Sequence, residues 1–115
     1  MEIKKIDDIV IVYPPQNLDL DNAEKFKKDL TKIISNNPQK DIILNFKEVE
    51  YVNSTSLSVV INAQTTLKES DKKLIVCEVG KKLLGLIKIV NLYDVMDIIE
   101  TEEEALLSLQ KPVAI

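Results

Sequence analysis

Asn53-Ser54-Thr55-Ser56 sets one amide and three adjacent hydroxyls side by side. The cluster lies between the apolar pair Tyr51-Val52 and a run with apolar residues at helical spacing. Ser, Thr and Asn are all favoured helix N-caps, because a side-chain oxygen satisfies a free N–H of the first turn. A helix start is also a natural anion site, with unpaired N–H groups and a favourable dipole. The same spot can therefore hold a phosphate, either bound or attached to a serine. The other candidates carry less. Cys77 closes an apolar run and reads as a small core residue, with no His or Arg in the chain to activate its thiol. Asp7-Asp8 and Asp19/Asp21 match no hard-cation loop and suit turns and caps. Gly80 and Gly85 lack the Gly and Lys spacing of a phosphate-cradling loop. Glu100 to Glu104 reads as a solvated helix start.

The absent residue types exclude much chemistry. The chain has no histidine, and all 15 of its basic residues are lysine. Without His there is no Ser-His-Asp or Cys-His arrangement and no His-based metal site. Without Arg there is no bidentate fork for phosphate or guanine, and the lysines are scattered, so nucleic-acid binding is not expected. We expect no enzyme activity, no metal and no cofactor. The net charge of −4, with 45% apolar and 30% charged residues, is an ordinary globular balance. A single cysteine cannot form an internal disulfide, and no secretory pattern opens the chain, so a cytoplasmic setting is expected. The apolar runs fall far short of the about 20 residues that span a bilayer, so no membrane segment is expected.

The elements that position these residues follow from punctuation and period. The 115 residues suit one domain, with no repeat and no linker. Ile3–Ile6 and Ile9–Tyr13, split by Asp7-Asp8, read as a β-hairpin stopped by Pro14-Pro15. Asp21-Asn22 offers an N-cap for a helix carrying Ala23, Phe26, Leu30, Ile33 and Ile34 on one face, ended by Asn36-Asn37-Pro38. Asp41–Phe46 and Lys73–Cys77 read as central strands buried on both faces. A helix with Leu57, Val60, Ile61 and Leu67 follows the Ser54 cluster. Lys81–Val90 reads as a short helix with Leu83, Leu84 and Ile87 inward, and with Leu86 and Ile89 off that stripe. Met96–Ile99 is a candidate edge strand, and Glu102 opens a last helix whose acidic first turn suits the dipole. The order ββαβαβαβα predicts an α/β fold with a central, mixed sheet of four or five strands and helices mainly on one face. Val10, Val12, Ile43, Leu44, Ile75 and Val76 are the expected strand core.

Two segments make the chain resemble a known family. Val52-Asn53-Ser54-Thr55-Ser56-Leu57-Ser58-Val59-Val60, after the strand Ile42-Ile43-Leu44-Asn45-Phe46, resembles the signature of the STAS family of anti-sigma-factor antagonists. That signature is Asp-Ser-Ser-Gly-Leu-Gly after an apolar strand ending in Asp. Leu18-Asp19-Leu20-Asp21-Asn22-Ala23 is similar to the family's segment before its first helix. The similarity runs from Met1 to about Leu109, which implies a single STAS-like domain. It implies an antagonist that binds an anti-sigma factor, itself an ATP-using serine kinase, and is released when the kinase phosphorylates it; a phosphatase resets the pair. Ser54 matches the phospho-acceptor, with Thr55 a minor alternative. Asn53 stands for the preceding Asp, able to orient the Ser54 hydroxyl but not to take its proton. Ser56 and Ser58 stand where glycines are usual, and Gln16 replaces the glycine before Leu18-Asp19.

The implied partner-binding set is Asn53, Ser54, Thr55, Ser56 and Leu57, with Leu18, Asp19 and Gly80 converging at the same end of the sheet. The alternative within the fold is a STAS scaffold subunit of a stress-sensing or lipid-transport complex, without a phospho-switch.

Overall fold

The computed structural model describes residues 1–110. Its strands are β1 (Glu2–Ile6), β2 (Ile9–Tyr13), β3 (Asn17–Leu18), β4 (Asp41–Asn45), β5 (Tyr51–Val52), β6 (Leu74–Cys77) and β7 (Ile98–Ile99). Its helices are α1 (Ala23–Asn36), α2 (Ser54–Glu69), α3 (Lys81–Ile89) and α4 (Glu102–Leu109). The main sheet has the order β1-β2-β4-β6-β7. Only the β1–β2 hairpin is antiparallel; the remaining pairs are parallel. The expected mixed α/β sheet is thus present. Asp7, with φ 50°, makes the hairpin turn; Asp tolerates this left-handed backbone better than most residues.

The runs Ile9–Val12, Ile42–Leu44 and Leu74–Cys77 are apolar throughout because both faces of the sheet are covered. Successive side chains alternate between the two faces. Val10, Val12, Ile42, Leu44, Leu74 and Val76 meet Phe26 and Leu30 of α1, Leu57 and Val60 of α2, and Leu83 and Ile87 of α3. Ile9, Ile11, Ile43, Ile75 and Cys77 meet Ala105 of α4. Among the described residues, three helices therefore lie on one face and α4 alone covers the other.

Four local expectations are corrected. Leu84 is half-buried rather than core, since Leu83 and Ile87 fill the inward stripe of α3. The edge strand is only Ile98–Ile99. Met96 is buried in the turn before it, its N–H bonded to the Leu92 carbonyl at 3.1 Å. Asn22 caps α1 in position but not with its side chain; the Asp19 carboxylate accepts from the N–H groups of Asp21 (3.1 Å) and Asn22 (3.2 Å) instead. Finally, β3 and β5 form a separate two-stranded parallel ribbon that no periodicity predicted.

Candidate functional site

The ribbon is what assembles the site. Leu18 pairs with Val52 across it, which brings the Leu18-Asp19 loop against the Asn53–Ser56 cluster. The Leu18 carbonyl accepts from the Asn53 N–H (2.9 Å) and from the Ser56 hydroxyl (3.1 Å). Ser56 is fully buried, so its hydroxyl ties the start of α2 to the ribbon, a contact that a glycine could not make. Leu18 and Leu57 are buried as well. These three residues of the expected contact set thus build the site from below and are not on its surface.

Asn53 is the N-cap of α2. Its Oδ1 accepts from the Ser56 N–H at 2.8 Å, and its carbonyl from the Leu57 N–H at 3.1 Å. The side-chain oxygen is therefore committed to the backbone, not to the Ser54 hydroxyl as expected. Ser54 and Thr55 are exposed in the first helical turn, where no acidic residue stands. A dianion attached to Ser54 would meet the positive end of the α2 dipole with no carboxylate in the helix's own first turn. Thr55 and Ser58 face a groove of about 300 Å³ between α1 and α2 that also exposes Glu24 and Lys27.

Gly80 reaches the same end of the sheet from β6. It is exposed and lines an open groove of about 660 Å³ with Asn17 and Tyr51 of the ribbon and with Lys47, Lys81 and Lys82. Asp19, half-buried, spends its carboxylate on the cap of α1.

Under α4, the same strand ends carry a polar cluster that the sequence did not single out. Glu102 Oε1 accepts from the Tyr13 hydroxyl (2.7 Å) and from Asn45 Nδ2 (3.0 Å). The Glu102 N–H donates to Glu78 Oε2 at 2.8 Å. Burial acts to raise the Glu102 pKa, but the bonds from Tyr13 and Asn45 and the charges of Lys4 and Lys47 outweigh it and hold the carboxyl below its usual value. Burial first, and then the Glu102 bond and charge, push the Tyr13 hydroxyl well above the usual tyrosine range. Glu102 is thus not one more solvated acid of its run. The one signal that could have found it is the pair Tyr13 and Asn45, polar residues closing two apolar strands.

Cys77 is fully buried, and burial, with the negative charges of Glu78 and Glu102, pushes its thiol up to about 12. Among the described residues no group of His, Cys, Asp and Glu side chains is arranged to hold a metal ion. No helix among them is long and apolar enough to cross a membrane.

Comparison with known proteins agrees with this fold. The STAS domain family matches residues 1–105. A Thermotoga maritima protein, provisionally named an anti-sigma factor antagonist, is 29% identical over 103 residues, spanning 90% of this chain and 91% of its own. A crystal structure of such a protein from that organism superposes with a TM-score of 0.87 at 27% identity, covering 96% of this chain and 94% of the other. The anti-sigma factor antagonist SpoIIAA in its unphosphorylated form shares the fold, with a TM-score of 0.79 at 18% identity over 98% of both chains.

Proposed function

The chain belongs to the STAS domain family, and from that membership we propose that it is an anti-sigma-factor antagonist switched by phosphorylation of Ser54. It is a binding protein, not an enzyme. Its partner is an anti-sigma factor that is also a serine kinase, and a phosphatase restores the binding form. The observation that carries this reading is the exposed Ser54 in the first turn of α2, on a foundation fixed by Asn53, Ser56 and Leu18. A phosphate there adds roughly −1.5 to −2 charges. The helix dipole accommodates that charge within the molecule, so the repulsion and desolvation fall on the complex. Switching then needs no refolding.

The contact face comprises Ser54 and Thr55, flanked by Asn53, by Asp19 and by the Gly80 end of the groove. The experiment is incubation with ATP and the anti-sigma factor of the same cell, followed by peptide mass spectrometry. Phosphate on Ser54 supports the switch. Phosphate on Thr55 alone moves the acceptor by one residue. A protein that binds but stays unmodified is a constitutive scaffold, as in a stress-sensing or lipid-transport assembly.

A further inference from the structure

We propose that Glu102 is a positioning residue for the Glu78–Gly80 end of the binding face, so that α4, on the opposite side of the sheet, sets the geometry of that end. The importance of this end for a partner rests on the function proposed above; the positioning does not.

Glu78 has φ 55°, a left-handed backbone that a long side chain rarely adopts and that neighbouring contacts must hold. Two bonds hold it from the α4 side. Its N–H donates to the Glu100 carbonyl at 3.1 Å, and its carboxylate accepts the Glu102 N–H at 2.8 Å. The second bond requires the first turn of α4 to stay in place. Glu102 keeps it there, because its side chain takes the Tyr13 hydroxyl from the end of β2 and the Asn45 amide from the end of β4 on one oxygen. Two residues beyond Glu78, Gly80 caps α3 with no side chain of its own, and the Leu84 N–H closes on its carbonyl at 2.8 Å. Gly80, Lys81 and Lys82 line the groove that faces Asn17 and Tyr51. A chain of bonds thus runs from Tyr13 and Asn45 through Glu102 and Glu78 to the start of α3. Cutting it at Glu102 frees Glu78 to relax toward negative φ and to draw Gly80 with it.

The test is amide hydrogen exchange on the free, full chain, read at Leu84. Glu102→Ala should speed exchange there by on the order of tenfold while the Ser56 and Leu57 amides keep their rates. Glu102→Gln should retain the parent rate, because an amide oxygen accepts the same two donors. Tyr13→Phe, which removes one donor and nothing else, should give an intermediate change, and it decides the matter if Glu102→Ala does not fold. An unchanged Leu84 rate in Glu102→Ala, with faster exchange confined to α4, would overturn the proposal. So would Glu102→Gln behaving like Glu102→Ala. Weakened binding of the anti-sigma factor with unchanged Leu84 exchange also overturns it and leaves the Ser54 reading intact. Faster Leu84 exchange with unaltered binding sustains the positioning role and places the partner's contact elsewhere on the face.

Discussion

The Tyr13 hydroxyl lies 2.7 Å from Glu102 Oε1, although 89 residues separate them in the chain. Tyr13 closes β2 and Glu102 opens α4, so this bond joins the central sheet to the helix on its far face. The ammonium groups of Lys4 and Lys47 lie 5.8 and 5.3 Å from the Tyr13 ring centroid. The carboxylate therefore accepts its bonds beside two cations. The arrangement stabilises an ionised Glu102 and a neutral Tyr13, and each state has a consequence for stability against pH.

Glu102 is held below its usual pKa, so its contribution is present above the unfolded value of about 4.3 and is lost as pH falls through the folded value. Tyr13 is held above its usual pKa; its contribution is complete below about pH 10 and is lost as pH rises beyond that. Partial solvent access keeps the carboxylate's share to about 1 kcal/mol. Urea unfolding across pH should show Glu102→Ala losing less stability than the parent below about pH 4, and Tyr13→Phe losing less above about pH 10. Parallel profiles for parent and variants would contradict the clasp.

The packing face of α1 offers a plainer test. Leu30 is 1% exposed, among strand residues and α2. Leu30→Ala should lower stability by ~2–5 kcal/mol in chemical denaturation, and Ile87→Ala should cost a similar amount from α3. An unchanged midpoint for Leu30→Ala would mean that the inward face of α1 is misplaced.

Cys77 should be chemically idle. Its burial and raised pKa leave almost no thiolate at neutral pH. Iodoacetamide should leave the native protein unmodified at about pH 8 and label it once denatured. Cys77→Ala should bind the anti-sigma factor as the parent does. Loss of binding in a folded Cys77→Ala protein would revive a role for the thiol.

Asn53 carries the cap of α2, so Asn53→Ala should cost about 1 kcal/mol in thermal or denaturant unfolding. Asn53→Asp keeps the capping oxygen and adds a favourable charge at the helix start, and should gain a few tenths of a kcal/mol at low salt, about what a dipole-aligned surface charge contributes. It should also speed phosphorylation of Ser54 in a kinase time course. Equal stability of Asn53→Ala and the parent would refute the capping assignment.

The long elements were legible because their periods were long enough to read. The stripe Ala23, Phe26, Leu30 turned inward as expected, and the unbroken apolar runs of β4 and β6 announced strands covered on both faces, whereas the burial of Ile9 and Ile11 beside Val10 and Val12 in β2 was not read from the hairpin. The ribbon was not legible, because strands of two residues have no period. Hence Leu18 looked like a contact residue when it is a buried foundation. Asn53 and Ser56 were legible as cap chemistry, but which oxygen meets which N–H depends on the Leu18 carbonyl that the ribbon delivers. Glu102 was hidden among its acidic neighbours; only the topology that places Tyr13 and Asn45 beneath α4 selects it.

The central claim is that charge on Ser54 acts on the complex and not on the fold. Ser54→Asp places a carboxylate at the exposed first turn of α2, where the dipole favours it. The direct measurement is calorimetric titration of the parent and of Ser54→Asp with the anti-sigma factor, beside their melting curves. Binding should weaken at least about tenfold, some 1.4 kcal/mol, while the melting temperature stays within a few degrees. Parent-like affinity of a folded Ser54→Asp protein would contradict the account and leave a constitutive scaffold in its place.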